Sequence, residues 1–380
     1  MIIALVLVLY GLVPLAGAVV SRSRWRLFRR RFDELRLRPF LDYGVYRQLG
    51  GDGGIFRFTG GFESVTDGRT LWIQGENLTI PVSLANAQTW LLPTREGEGG
   101  PEADPGEETP ERIRWDRLST LNEGAKVFVG GALRFQDERW CFISTRETPL
   151  MVLFYDCPDS ALTALTIQTG RSRNEYWNAV TPYALVAGAL CLILIAVSFL
   201  PRPAFRLTVI TSFVALFIPL FPLIPPGLLF TVLYRRLAWH ARILRSYRDL
   251  ARLPLRYLPQ RKDGGEECCR LPDGEMYGCV RRDALPDEAR EGKLPFLLPG
   301  YSKAQMNAQW HIFGALRPGD DTPSPPADPF ATFGVLPGKP EALARRYGAI
   351  AYTLEVTAWL TLLAGIGLNI FFVEMILLVL

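Results

Sequence analysis

"YALVAGALCLILIAVSFLPRPAFRLTVITSFVALFIPLFPLIPPGLLFTVLY", residues 183–234, decides what kind of protein this is. Two apolar runs, 183–200 and 205–234, are joined by the short "PRPA", and the only charges are Arg202 and Arg206. Each run approaches or exceeds the ~20 residues that a helix rising 1.5 Å per residue needs to cross a hydrocarbon core of ~30 Å. The pattern is a helical hairpin that leaves a bilayer and returns. Pro219, Pro222, Pro225 and Pro226 interrupt the second run. Each removes a backbone donor and disfavours a straight helix. One reading is a discontinuous span lining a transport path. The simpler reading is that the prolines end the span near the interface and Gly227 starts a new helix.

Outward from the hairpin, two more apolar runs follow the same rule. "MIIALVLVLYGLVPLAGAVV" (1–20) has no positive charge before it and "SRSRWRLFRRR" directly after it. A signal peptide cleaved after Ala16-Gly17-Ala18 would carry its charge in front, so an uncleaved anchor is the reading taken. Residues 348–380 hold the last run, with Glu355 and Glu374 near its ends, where headgroup-level positions suit them better than a proton path. Arg-rich flanks at 22–31, 235–262 and 345–346 then all fall on one side. The positive-inside rule makes that side the cytoplasm and puts both termini outside. The expected fold class is an integral membrane α-helical protein of about four spans with an inserted small β-barrel of OB or SH3-like type. The expected location is a bacterial inner membrane, crossed several times.

Composition agrees with alternating membrane and polar parts. Of 380 residues, 49% are hydrophobic, too many for an ordinary soluble chain, while 21% are charged, too many for one wholly in the membrane. Six cysteines form no disulfide framework, and two histidines leave little for His-based chemistry.

Residues 40–175 read as a cytoplasmic β-domain after a basic juxtamembrane segment, 21–39. "GIFRFTGGFESV", "TLWIQG", "LTIPVS", "KVFVGGALRF", "RWCFIST" and "LMVLFYDC" are short runs rich in β-branched and aromatic residues, separated by turns such as "TDGR" and "GEN". Gly60-Gly61 and Gly130-Gly131 suit bulges or tight barrel corners. The acidic loop 94–114 lacks apolar periodicity and reads as a disordered insertion. Phe56, Phe58, Trp72 and Trp140 have few interleaved Lys or Arg, so core packing accounts for them and no nucleic-acid partner is expected.

Two stretches, "LNEGAKVFVGGALRFQDERWCFIST" and "RNEYWNAVTPYALVAGALCL", resemble the GIDE-type (BAM) domain of membrane-anchored E3 ubiquitin ligases, where a β-rich domain also sits between a first and a second span. The resemblance covers residues 40–200 and rests on unspecific motifs. Those ligases end in a RING finger with about eight Cys/His zinc ligands. This chain ends in an apolar run, so ligase activity does not carry over and no catalytic residue transfers. The resemblance implies a membrane-tethered interaction domain.

After the hairpin, "RRLAWHARILRSYRDLARL" opens a basic amphipathic segment, 235–262. Arg242, Arg245, Arg248 and Arg252 recur at helical steps, opposite Leu237, Leu244, Tyr247 and Leu250. Such a helix is expected on the anionic inner leaflet, with those arginines on lipid headgroups at about 1 kcal/mol each. A helix packed on a protein partner is the alternative. Residues 263–347 then hold Cys268, Cys269 and Cys279 in "EECCRLPDGEMYGC" and the Pro-rich strip 318–340. As a zinc site the thiols are one ligand short and badly spaced, since paired ligands stand C-x₂₋₄-C. A hairpin turning at Pro272-Asp273-Gly274 is the preferred reading, with metal binding and redox switching or acylation behind it. The strip reads as an extended linker or a docking strip for the protein's own barrel.

Chemistry is sparse. No G-x-x-x-x-G-K-[ST], G-x-S-x-G or H-E-x-x-H motif occurs, and "GGDGG" (50–54) lacks the setting of a phosphate loop. "NLT" (77–79) is a sequon idle on the cytoplasmic side. No cofactor is expected, and enzymatic activity less than its absence. The preferred function is a membrane-anchored scaffold, assembly or regulatory protein that presents the barrel at the inner leaflet, with a protein partner or self-association. The alternatives are a subunit of an oligomeric transporter or channel, then a membrane-bound enzyme of envelope or lipid metabolism.

Overall fold

A computed structural model describes residues 1–50, 53–66, 69–93, 109–113, 124–136, 138–171, 176–258, 268–298, 309–317 and 322–379. The chain forms two compact units. One comprises Met1–Leu27, Ser172–Arg245 and Gly348–Leu380, the other Phe28–Arg171 and Ser246–Tyr347.

Helix α1 runs over Ile2–Arg36, with a π-type turn at Leu7–Leu12. The basic stretch expected as a separate juxtamembrane segment extends this helix, because nothing in "SRSRWRLFRRRFDELR" breaks it.

In the second unit, strands β1 (Gly54–Thr66), β2 (Thr70–Gln74), β3 (Thr79–Ser83), β4 (Gln88–Leu91), β5 (Glu111–Arg112), β6 (Lys126–Gln136), β7 (Arg139–Ile143) and β8 (Met151–Tyr155) make one sheet. Five of them close into a barrel in the order β1-β2-β3-β7-β6, with β6 pairing back onto β1. Alternation fills its interior: Leu71, Ile73, Ile80, Val82, Val127, Val129, Leu133 and Phe142 are fully buried. Each such side chain contributes roughly 1.5–3 kcal/mol relative to exposure.

The glycine pairs mark the corners. At Gly61 β1 passes from β6 to β2, next to a bulge between Phe62 and Ser64. A Cβ on Gly60 would lie 2.3 Å from the Gln74 carbonyl oxygen. One edge of β6 serves β8 up to Gly130 and β7 from Ala132 onward.

β8 carries β4 in parallel, and β5 pairs with β4. β5 falls inside the loop expected to be disordered. Its Arg112 pairs with Trp90, and Ile113 donates to the Thr89 carbonyl at 3.1 Å, so the sheet captures this end of the insertion. Residues 94–108 and 114 lie outside the described residues. Helix α2 (Asp159–Gln168) follows β8.

The same unit holds a second, antiparallel sheet, ordered β12-β11-β10-β9, of β9 (Cys268–Arg270), β10 (Met276–Arg282), β11 (Trp310–Ala315) and β12 (Gly334–Pro337). β9 and β10 form the expected hairpin: Leu271 N donates to Glu275 O at 2.8 Å, and Gly274 takes φ +94°. That left-handed value suits glycine. β11, wholly buried, is covered on both faces, by Ala289, Leu294 and Val335 on one and by Leu250, Leu336 and Leu343 on the other.

The first unit contains the rest of the apolar sequence. Besides α1, Thr181–Phe199 (α3) and the helix Pro340–Val379 (α6) are long and apolar enough to cross a membrane. Between 17% and 22% of their apolar windows is buried, so the remainder needs an apolar surrounding. The run 205–234 is not one helix. α4 (Arg206–Leu216) stops before the prolines, Ile218–Leu223 forms a 3₁₀ turn, and Gly227 starts α5 (Gly227–Ala251).

The break frees carbonyls that a low-dielectric environment cannot leave bare. Asn369 of α6, 4% exposed, donates to Phe221 O at 2.7 Å and Ile224 O at 3.0 Å, and Thr231 Oγ1 donates to Pro222 O at 2.8 Å. Glu355 accepts from Arg22 on one carboxylate oxygen and pairs with Arg245 through the other.

Candidate functional site

The cysteines do not converge. Neighbouring strand residues point to opposite faces, so Cys268 faces away from Cys269. Cys269 pairs with Tyr277 and, with Cys279, lies against the core that Tyr277 belongs to. No group of three or more His, Cys, Asp or Glu side chains able to hold a metal occurs among the described residues.

The four arginines expected on lipid have different surroundings. Arg242 is 4% exposed, Arg245 sits on Glu355, Arg248 Nε donates to Asp249 Oδ1 at 2.8 Å, and Arg252 is exposed. α5 runs without a break from the apolar residues into the basic ones. Tyr247, Leu250, Ala251, Leu253 and Leu258, which include part of the apolar face expected on lipid, pack into the core beside β9–β12. Protein covers that part of the face because the second sheet needs it to bury Tyr277 and Phe313, while Leu237 and Leu244 stay half-buried.

Charge and aromatic side chains instead gather on the outer face of β1 and β6. Val127 and Val129 point into the barrel, so Phe128 and Gly130 point out. α1 lies over them: Phe32 meets Phe128 with ring centroids 5.2 Å apart, and a Cβ on Gly130 would stand 2.9 Å from Leu35 Cβ. The Pro-rich strip, from residue 322 onward, then meets this face through Asp328 and Phe330, as one of its two readings anticipated. Phe330 packs edge-on against Phe128 at 5.5 Å.

Arg57 is the outward residue between the core-facing Phe56 and Phe58, and it lies 2% exposed beneath the strip. Its Nη1 and Nη2 donate to Asp328 Oδ1 and Oδ2 at 2.9 and 2.5 Å, Nε donates to Arg38 O at 2.7 Å, and its plane stands over Phe330 at 5.2 Å. A buried guanidinium is tolerated only when paired in this way. Arg36, fully buried, donates from Nε to Asp33 at 2.7 Å and from Nη1 to the Tyr257 hydroxyl at 2.8 Å and Phe330 O at 3.2 Å. Burial opposes the Arg36 charge, and Tyr257 and Asp33 more than restore it.

Tyr257 O–H in turn donates a hydrogen bond to Phe330 O at 3.0 Å, and Tyr277 O–H donates to Thr332 O at 2.7 Å. Burial pushes the Tyr257 hydroxyl up to about 12 and the Tyr277 hydroxyl well above its ordinary value, so both are neutral donors at pH 7.

A related arrangement closes α2. Arg29 Nη1 donates to Thr169 O at 3.0 Å, Arg171 Nε to Ile167 O at 3.3 Å, and Arg171 also pairs with Asp249. Cations suit this negative end of a helix. Burial alone would raise the Asp249 carboxyl, but Arg171 and Arg248 together hold it below the usual range.

Chemically, the cluster around Arg57 and Arg36 offers paired charges and neutral hydroxyls rather than an exposed nucleophile or base. It fastens the polar end of α1, the barrel face and the strip to one another. A lone Arg between two core-facing phenylalanines and an acid in "PPADPF" were its signals in the sequence. Neither indicates its partner. No family model, curated protein or solved structure matches the chain.

Proposed function

We propose that the chain is a membrane-anchored scaffold, assembly factor or regulator that presents its barrel unit at the inner leaflet of a bacterial cytoplasmic membrane. One observation carries this reading: Phe32 and Leu35 of α1, the helix that bears the first apolar run, pack on the outer face of the barrel, and Arg36 bonds the Phe330 carbonyl of the strip beside it. Buried ion pairs are best attested as devices that fix a register, and Arg57–Asp328 does so between the barrel face and the strip.

The reading includes four crossings, both termini outside, and a barrel of OB or SH3-like type. The third crossing is discontinuous and consists of α4, the 3₁₀ turn and the start of α5. Asn369 supports this arrangement. It stands about 21 Å beyond Glu355 along α6, well inside an apolar run, and it occupies the freed carbonyls at the break. Carbonyls so occupied are a poor lining for an ion path, which favours the scaffold over the transporter.

The test is cross-linking in native membranes followed by affinity purification of the full-length protein. The expected result is a stoichiometric protein partner cross-linked to the barrel unit; recovery of the protein alone would remove the scaffold reading. Cys268, which is exposed, reports sidedness. An impermeant maleimide should label it only after permeabilisation, and labelling in intact cells would invert the topology.

A further inference from the structure

We infer that the α3–α4 hairpin holds one anionic phospholipid, its phosphate on Arg202 and Arg206 and an acyl chain in the groove below them. This goes beyond the scaffold reading and requires only that the hairpin lie in a bilayer.

Two independent features coincide. The first is a shallow groove between the helices, lined by Leu192, Ala196 and Val197 of α3 and by Ser212, Phe213 and Leu216 of α4. Its lining is apolar, because Ser212 directs its hydroxyl to Thr208 O at 2.8 Å. Water gains nothing against so apolar a lining, whereas a few methylenes of an acyl chain can lie along it.

The second feature is the pair of exposed arginines at the turn. Arg206 opens α4, about 9 Å along the helix from Ser212. Arg202 stands over the Phe199 ring at 5.9 Å, and Phe199 packs on Phe205 at 4.8 Å, so aromatic contacts order the turn that joins the two helices. No Asp or Glu occurs between Glu175 and Asp249, so no acid in this stretch of chain neutralises the two charges. A headgroup at the turn and a chain running inward reproduce the polarity of a lipid seated against the hairpin.

The experiment uses the full chain in phosphatidylcholine bilayers doped with phosphatidylglycerol that carries a diazirine on an acyl chain, with the equivalent phosphatidylcholine probe as reference. Photolysis should place adducts on peptides of the hairpin, with phosphatidylglycerol preferred. Two basic residues near an anionic headgroup account for about a 25-fold preference, so the exposed double variant Arg202→Gln/Arg206→Gln should lose it. Val197→Trp, which fills the groove from its open side, should remove the adducts while leaving the arginines in place.

Three outcomes overturn the inference. These are equal labelling by both probes, an unchanged preference in the double variant, and loss of labelling on adding inorganic phosphate, which would make the arginines a site for the free anion. Should Val197→Trp fail to fold, the double variant alone decides between headgroup recognition and its absence.

Discussion

Arg57 on the barrel grips Asp328 on the Pro-rich strip with both terminal nitrogens, at 2.9 and 2.5 Å, and both side chains are almost completely buried. Residues 271 positions apart in sequence are thus one structural element. Removing a single partner leaves a buried, uncompensated charge. Asp328→Ala should cost about 3–5 kcal/mol, whereas Arg57→Met combined with Asp328→Leu should be close to neutral. Chemical unfolding of the full chain in detergent, followed by tryptophan fluorescence, measures both. Equal losses in the single and double variants would mean that the pair is not coupled.

Asn369→Leu keeps the volume of the side chain and removes both donors to Phe221 and Ile224. Hydrogen bonds within membranes average about 0.6 kcal/mol, so the two together should contribute about 1–2 kcal/mol. SDS-induced unfolding should begin at lower detergent fraction in Asn369→Leu. An unchanged curve would show that the break is held by packing alone.

At high pH the Tyr257 hydroxyl should contribute to the loss of stability, together with the other buried tyrosines such as Tyr277. The folded value of Tyr257, raised by burial to about 12 from an ordinary 10.0, favours the neutral form in the folded state. The contribution is complete below pH 10 and is lost as pH rises towards 12. Tyr257→Phe should lower stability at pH 8, by losing the bond to Phe330 O, and flatten the decline above pH 10. A decline of the same slope in that variant would assign it to other groups.

His311 should act at the opposite end. Burial lowers its imidazole below the ordinary 6.5, Arg281 and Lys339 add to the effect, and a backbone bond at Gln309 works against it. The folded state therefore binds the proton less well than the unfolded chain, so stability is present above pH 6.5 and is lost as pH falls below it. His311→Leu should weaken that acid-side loss, measured as the unfolding midpoint between pH 7 and pH 5.

The hairpin geometry predicts that chelation leaves stability unchanged. Cys268 points away from Cys269 and Cys279, so no tetrahedral set can form from the three thiols. EDTA treatment that lowers the unfolding temperature, together with zinc on the purified protein, would reverse this.

Much of the architecture is legible locally. The six strand candidates are β1, β2, β3, β6, β7 and β8, since a short turn-bounded run rich in β-branched and aromatic residues is a short-range pattern. β4 and β5 were not legible, because "QTWL" and "ER" are strands only through the neighbours they pair with.

The apolar runs, the prolines that break the third of them, the Pro-Asp-Gly hairpin and the glycine corners follow from the sequence by itself, because each expresses a preference of the local chain. Tertiary structure alone decided what those segments meet. It placed the end of α5 against the second sheet instead of lipid, Asp328 on Arg57, and Asn369 on the carbonyls of a distant break. Burial of a charge or a bare carbonyl is costly wherever it occurs, yet the group that relieves it comes from far along the chain, and spacing in sequence does not name it.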